Sequence, residues 1–524
     1  MTASKELVRY ISMRALMAVL LFLTFAAWSM GSAVGSSPDE GYLLTSIWCA
    51  DTPLLKGLDD PARSAPITEK GRPIFAKGEN CRRDLDRSNT VWVPWRVAES
   101  HFCILSNESS GASCQKSLTN QLISTDQVIE NLNPLYPSSY LKFMSRFIEN
   151  DVQQSVLNMR LFNSFLASAL IVCALSLSRK RLSDLSVALV SVIVPVAISL
   201  VSSVNTSSWA ISGTTIFTLS ILAINPDKIR TKHTALSVIV ALVGFYIANS
   251  SRFETKYQLL VISIFVALYK FPQLIQRNYT KRRIFGTAIS IFLLLVLLIQ
   301  VPNNPLSNLL GDLSLKKDGS ISLIVTNLIN LPYFLTGFFG SWGLGWFDTF
   351  LPQTAWLFPT AAFFITYCSS TLGSSKRNKA LSIVMISSLL IVILLYLQKF
   401  FVEIRDMVQP RYFFPILIGI ALTSSANKQI RYPNAVVISV GLLTVVANSI
   451  ALRNVIRRYV SGQKNFGITE SLNSTSYWWW TDQDSGTNLW APAPETVWLI
   501  GSLAFALLFA VIIYERKLES AIDE

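Results

Sequence analysis

Histidine is nearly missing from this chain, with two residues in 524. Acid–base or metal chemistry organised around imidazole is thereby set aside. Charge is scarce too, at 15% against a hydrophobic content of 51%, where a soluble protein covers its surface with about 25% charged residues. There is no P-loop, no nucleotide-binding GxGxxG, no HExxH and no serine–histidine arrangement. Nucleotide binding and zinc or serine hydrolysis therefore lack their usual residues. No strong internal repeat is visible, which argues against an inverted-repeat transporter.

What the chain does have is long apolar runs. Met13–Val34, Leu236–Asn249, Ile284–Val301 and Leu381–Leu397 carry almost no charge, and most approach the ~20 residues that cross a bilayer core of about 30 Å. Helices satisfy their backbone polar groups internally in lipid, so an all-α polytopic membrane protein is expected. The first run is long and has no clear small-x-small site before Ser36, so it reads as an uncleaved span rather than a signal peptide.

The net charge of +13 falls mostly in short connections, where it sets orientation instead of recruiting nucleic acid. Lys5/Arg9, Arg179-Lys180-Arg181, Lys228/Arg230/Lys232, Arg277/Lys281/Arg282/Arg283, Lys376/Arg377/Lys379, Lys428/Arg431 and Arg516/Lys517 are placed in the cytoplasm. The result is about twelve spans, near 13–34, 157–178, 183–204, 208–225, 234–250, 258–272, 284–301, 355–373, 380–398, 412–426, 434–452 and 496–514, with both termini inside. Ile321–Gly340 is apolar enough to span, but a span there would invert everything after it. Its Pro332 and Gly337 favour a broken, re-entrant or surface-lying helix on the outer face, with a thirteenth span as the alternative.

The expected organisation is a tail and first span (1–35), an extracytoplasmic loop subdomain (36–155), spans two to seven (156–301) and an outer-face loop (302–354). Spans eight to eleven (355–452), a second extracytoplasmic loop (453–495) and the last span with its cytoplasmic tail (496–524) follow. The first loop holds Cys49, Cys81, Cys103 and Cys114. In an oxidising compartment these read as two disulfides with three possible connectivities. The alternative, a zinc site, has no CxxC pair and only His101 nearby.

Three polar clusters lie at the outer ends of spans. Ser37-Pro38-Asp39-Glu40 sets two adjacent acids beside a stiffening proline. They are either a solvated pair or a general base and metal ligand. Gly343-Leu344-Gly345-Trp346-Phe347-Asp348-Thr349-Phe350-Leu351-Pro352 is either an interfacial anchor loop or part of a substrate groove. Arg405-Asp406-Met407-Val408-Gln409-Pro410-Arg411-Tyr412 puts positive charge where orientation disfavours it, so Arg411 needs a partner, a lipid phosphate or one of the acids. Asn205, Trp209, Arg252 and Lys256 are further outer positions, and Tyr477-Trp478-Trp479-Trp480 reads as an interfacial belt or a sugar-stacking platform.

Taken together, these clusters resemble the bacterial membrane-protein family called domain of unknown function 2142. The likeness rests on Ser37-Pro38-Asp39-Glu40, on Gly345-Trp346-Phe347-Asp348-Thr349 with Leu351-Pro352, and on Gln409 with Arg411-Tyr412-Phe413 and Pro415. Ser46-Ile47-Trp48-Cys49 and the loop cysteines further resemble actinobacterial members. The family is similar to C-type polytopic glycosyltransferases, which take sugars from polyprenyl-phosphate donors on the outer membrane face. The resemblance implies a GT-C-like arrangement in the plasma membrane and an inverting transfer to a cell-envelope glycan acceptor. Asp39 would be the general base and Glu40 its orienter or a cation ligand. Arg411, Arg252 and Arg405 would bind donor phosphate, and Trp346, Asp348, Gln409, Tyr412, Asn205 and Trp209 would line the groove. No cofactor is required on this reading, with a divalent cation (Mg or Mn) at Asp39 and Glu40 as the alternative. The many spans keep a transporter or flippase open as a rival, and Leu43, where many relatives carry a histidine, keeps open a non-catalytic assembly subunit.

Overall fold

The computed structural model describes residues 2–50, 80–83, 90–105, 111–126, 137–178, 182–224, 231–275, 320–406, 408–426, 431–462, 471–474, 477–481 and 491–523. The expected span 284–301 and the basic clusters at 179–181, 228–230, 277–283 and 428 lie outside them. The protein is mostly helical. Among the described residues six helices are long and apolar enough to cross a membrane, or seven if one bent pair counts as a span.

The first helix, α1 (Thr2–Met30), lies against α5 (Val152–Ser176) and the last helix, α16 (Pro494–Asp523). Helix α15 (Asn434–Ser461) packs on α12 (Gln353–Leu372) and α16. In the middle run α8 (Thr206–Ala223) and α14 (Phe414–Ser425); α14 is buried along its whole length, as an interior helix that never meets lipid must be. Around them stand α9 (Lys232–Asn249), α10 (Thr255–Ile275), α11 (Ser320–Gly337) and α13 (Lys376–Phe400). Ile239, Leu242, Ile383 and Leu507 are exposed, the apolar surface a bilayer covers.

Two expectations about helix continuity reverse. The run 183–204 is broken into α6 (Leu182–Val190) and α7 (Pro195–Val201), bent by 92°. Pro195 stands at the first position of α7, where its missing N–H is harmless, and the four residues before it turn the chain. By contrast, α11 continues through Pro332 and ends at Gly337. It packs along α13 with Ile321, Val325, Leu328 and Ile329 exposed, so it is not broken at its proline.

At one end of the bundle sits the subdomain that follows α1. Helix α2 (Glu40–Trp48) packs on α3 (Trp95–Leu105), beside a three-stranded antiparallel sheet ordered β1 (Arg82–Arg83), β2 (Val91–Pro94), β3 (Leu122–Thr125). Short α4 (Ser138–Met144) also meets α2. The disulfides are Cys49–Cys81 and Cys103–Cys114. They select one of the three connectivities and leave no thiolate set for zinc.

The tryptophan run is neither a belt nor a platform. Trp479 and Trp480 are fully buried, Trp480 Nε1 donates to the Met30 carbonyl, and Trp478 Nε1 donates to Pro492. The run plugs the end of α1, where a helix leaves unsatisfied carbonyls.

Candidate functional site

Asp39 is the cap residue of α2 and sits in the left-handed region, with φ 61°. Aspartate tolerates this region better than most residues, though at some strain. The conformation turns its carboxylate away from the helix N–H groups, and it makes no cap hydrogen bond. The carboxylate instead meets Arg411, with Nη2 2.8 Å from Oδ2. Arg411 rides on a single 3₁₀ turn, Pro410–Phe413. The two side chains are 372 positions apart in sequence, and the fold brings them together as the functional reading required. Asp39 is 24% exposed and Arg411 5%, so water or a ligand reaches the acid.

Only one of Arg411's three nitrogens is used: Nε and Nη1 are buried and have no hydrogen-bond partner among the described residues. The same holds for Gln409 Oε1, two residues earlier. On the other side, Tyr412 lies between two guanidinium groups, Arg411 at 5.3 Å and Arg252 at 4.5 Å from its ring centre. Arg252 pairs with Glu254 at 2.5 Å, and Gln258 holds the Tyr412 carbonyl. Arg405, by contrast, is exposed and stands over Tyr333, 5.1 Å from its ring centre. It is not part of the Asp39–Arg411 pair.

Glu40 has a different environment. It is fully buried and bound by both nitrogen ends of Arg160, Nε to Oε1 at 3.0 Å and Nη2 to Oε2 at 2.7 Å. The Ser37 and Val204 N–H groups add a second bond to each oxygen, at 3.1 and 3.3 Å. With both oxygens so engaged, Glu40 does not fit the role of a cation ligand, and among the described residues no group of three or more His, Cys, Asp or Glu could hold a metal ion. Glu40 instead fixes the turn that carries Asp39. Arg160 Nη1 and Nη2 also donate to the carbonyls of Ser29, Ser32 and Ala33, closing the end of α1.

The other expected groove residues fall into two groups. Trp346 reaches the site: its Nε1 donates to Gly35 at 2.9 Å, and its ring stacks on His101 at 5.8 Å. Asp348, Asn205 and Trp209 face inward as supports. Asp348 is buried, pairs with Arg458 at 3.0 Å, and accepts from the Trp346 N–H at 3.1 Å. Burial pushes its carboxyl above the usual range, with Arg458 opposing. Asn205 caps α8 through the Ser207 N–H and donates to the Pro38 carbonyl. Trp209 is buried against Tyr140 and donates to Asn163. Leu43, where many relatives are expected to carry histidine, is fully buried.

Three side chains escaped sequence reasoning. Arg160 was legible as a lone charge in an apolar run, a residue that must have a partner. Arg458 gave no such signal, since it stands beside Arg457 and near Arg453 at the end of α15. His101 gave no signal beyond its rarity, yet α3 brings it into this site. Its backbone passes Gly35 (φ 78°) so closely that a Cβ there would lie 2.7 Å from the His101 nitrogen. A Cβ on Gly41 would lie 2.2 Å from His101 Nδ1. Both positions therefore require glycine.

Burial pushes the His101 imidazole down to about 4 from 6.5. Between those values the unfolded chain binds a proton that the folded one does not, so this contribution is intact above pH 6.5 and is lost as pH falls toward 4. The loss is about 3 kcal/mol at pH 4. The unfolding midpoint of His101→Phe should accordingly fall less than the wild type's between pH 7 and pH 4.5. Equal falls in both proteins would refute the assignment.

A family model described as predicted membrane protein (DUF2142) matches residues 22–420, which takes in all three clusters. No curated protein and no solved structure matches the chain.

Proposed function

Since the chain belongs to the DUF2142 family of predicted membrane proteins, we propose that it is an inverting membrane glycosyltransferase with a polyprenyl-phosphate sugar donor. The acceptor is a hydroxyl of a cell-envelope glycan, and the site lies at the outer face of the plasma membrane. On this reading the chain has about twelve spans, the finer count that the basic connections imply. The subdomain and its disulfides are then extracytoplasmic, in a compartment where disulfides persist.

The reading is carried by the Asp39–Arg411 contact: an accessible carboxylate beside a buried guanidinium with two nitrogens unspent. The acceptor hydroxyl oxygen attacks the anomeric carbon while Asp39 takes its proton. The bond from that carbon to the phosphate oxygen breaks, and its electron pair leaves on the polyprenyl phosphate. Arg411 Nε and Nη1 stabilise that charge by charge-assisted hydrogen bonds. Arg411→Lys, which loses the fork but keeps the charge, should raise the donor KM by about 10–100-fold with a smaller effect on the acceptor KM. An unchanged donor KM in reconstituted protein would remove Arg411 from the site.

A transporter or flippase is the second reading, favoured by the break between α6 and α7, since transporters build their sites at interrupted helices. The turn after α7 contributes Val204 N–H to Glu40 and Asn205 to Pro38, a supporting use rather than a charged pathway. Reconstituted protein supplied with polyprenyl-phosphate sugars separates the readings: product marks the enzyme, lipid movement without product the transporter, and neither an assembly subunit.

A further inference from the structure

Beside Asp39 lies an aromatic surface that the catalytic reading leaves unused. Tyr42 follows Asp39 by three residues, in the first turn of α2, and is 36% exposed. Phe102 on α3 is 38% exposed. Trp346 closes the group from the second cluster, with ring centres of Tyr42 and Trp346 6.0 Å apart. At the middle is His101, 5.5 Å from Tyr42, 5.8 Å from Trp346 and 4.0 Å from Phe102.

A contiguous group of partly exposed aromatic side chains marks a contact site. This group is set on the disulfide-bonded subdomain, with Cys103–Cys114 next to Phe102. His101 adds an independent sign. Its side chain is fully buried and both ring nitrogens have no hydrogen-bond partner among the described residues. A buried imidazole left that way costs stability, which native proteins accept mainly where the group has work to do. The two glycines that admit it show the position to be built for it.

We propose that Tyr42, Phe102 and Trp346, with His101 between them, form the acceptor subsite, which holds a sugar ring of the glycan so that its hydroxyl faces Asp39. The flat C–H face of a pyranose packs on exposed aromatic rings, and the buried His101 ring lies behind Tyr42, Phe102 and Trp346 as their common backing. An anionic lipid headgroup does not suit the group, whose three rings carry no positive charge. The assignment places Trp346, expected to line the substrate groove, on its acceptor side, and it rests on the glycosyltransferase reading only for the identity of the step that follows binding.

The test uses the full chain in lipid nanodiscs on an array of immobilised hexose, pentose and N-acetylhexosamine oligosaccharides, with polyprenyl-phosphate spots as comparison. Wild type is expected to be retained on a subset of the oligosaccharides. Tyr42→Ala and Phe102→Ala should each weaken retention by about tenfold, and Tyr42→Phe should restore most of it. Arg411→Lys should keep glycan retention. Phe102 is partly exposed, and an unfolding midpoint near the wild type's checks that its alanine variant is folded. No retention on any oligosaccharide, equal retention by the alanine variants, or retention on the lipid spots alone overturns the proposal. Glycan retention without sugar transfer leaves the subsite standing and removes the enzyme reading. Transfer with an acceptor KM unaffected by Tyr42→Ala and Phe102→Ala removes the subsite and leaves the enzyme.

Discussion

Asp39→Asn is expected to lower turnover by about 10²–10⁴-fold, the range for losing a general base, with little change in stability. Asparagine matches aspartate in size and tolerates the left-handed backbone that residue 39 adopts. The turn beneath it, held by Glu40, Asn205 and Ser37, should therefore survive. What is lost is the charge opposite Arg411. Because Asp39 is partly open to solvent, that ion pair contributes only about 1 kcal/mol to folding. Asp39→Glu is the less informative variant, since it keeps a carboxylate but places a longer side chain on strained backbone. Steady-state transfer and thermal unfolding measured on the same preparation decide the matter. Turnover within about threefold of wild type, well inside the general-base range, would dismiss Asp39 as the base.

The neighbouring acid should behave in the opposite way. Arg160→Leu leaves Glu40 charged and buried, opens three carbonyls at the end of α1, and should destabilise the protein by about 3–5 kcal/mol. Glu40→Leu should do comparable harm by stranding the guanidinium. The double variant Glu40→Leu/Arg160→Leu should recover part of the loss, because exchanging a whole buried pair for apolar side chains is often close to neutral. A double-mutant cycle on unfolding midpoints measures this coupling. If Glu40→Leu unfolds with the wild type yet abolishes transfer, Glu40 belongs to the chemistry and not to the scaffold.

Asp39 and Glu40 show how far the chain alone could be read. Their adjacency marked the turn that meets Arg411, and the odd positive charge at Arg411 implied a partner, a lipid phosphate or one of the acids, of which the fold supplies the acid. Which acid it would be was not legible, because the answer lies in one backbone angle: with residue 39 left-handed, the two carboxylates diverge, one toward Arg411 and one into the core. The helical membrane class followed from apolar runs, because lipid leaves the backbone few alternatives. The same logic misled at the tryptophans, since aromatic residues suit both an interface and a tight core, and only tertiary packing chooses. It misled again at the two prolines, where Pro195 begins a helix and Pro332 is absorbed within one. Arg160 was overlooked because an apolar run was scanned for length when its single charge was the informative residue.

The link between Glu40 and Arg160 also constrains how the protein is made. The two residues are 120 positions apart, so at about 5–20 residues per second a ribosome delivers the arginine on the order of 10 s after the acid. During that interval Glu40, at the start of α2, lacks the guanidinium that compensates it. Arg411 comes later still, after most of the remaining helices. The turn that carries Asp39 is therefore held by Arg160 well before Arg411 is made, so a product truncated between them would carry the acid without the guanidinium it meets.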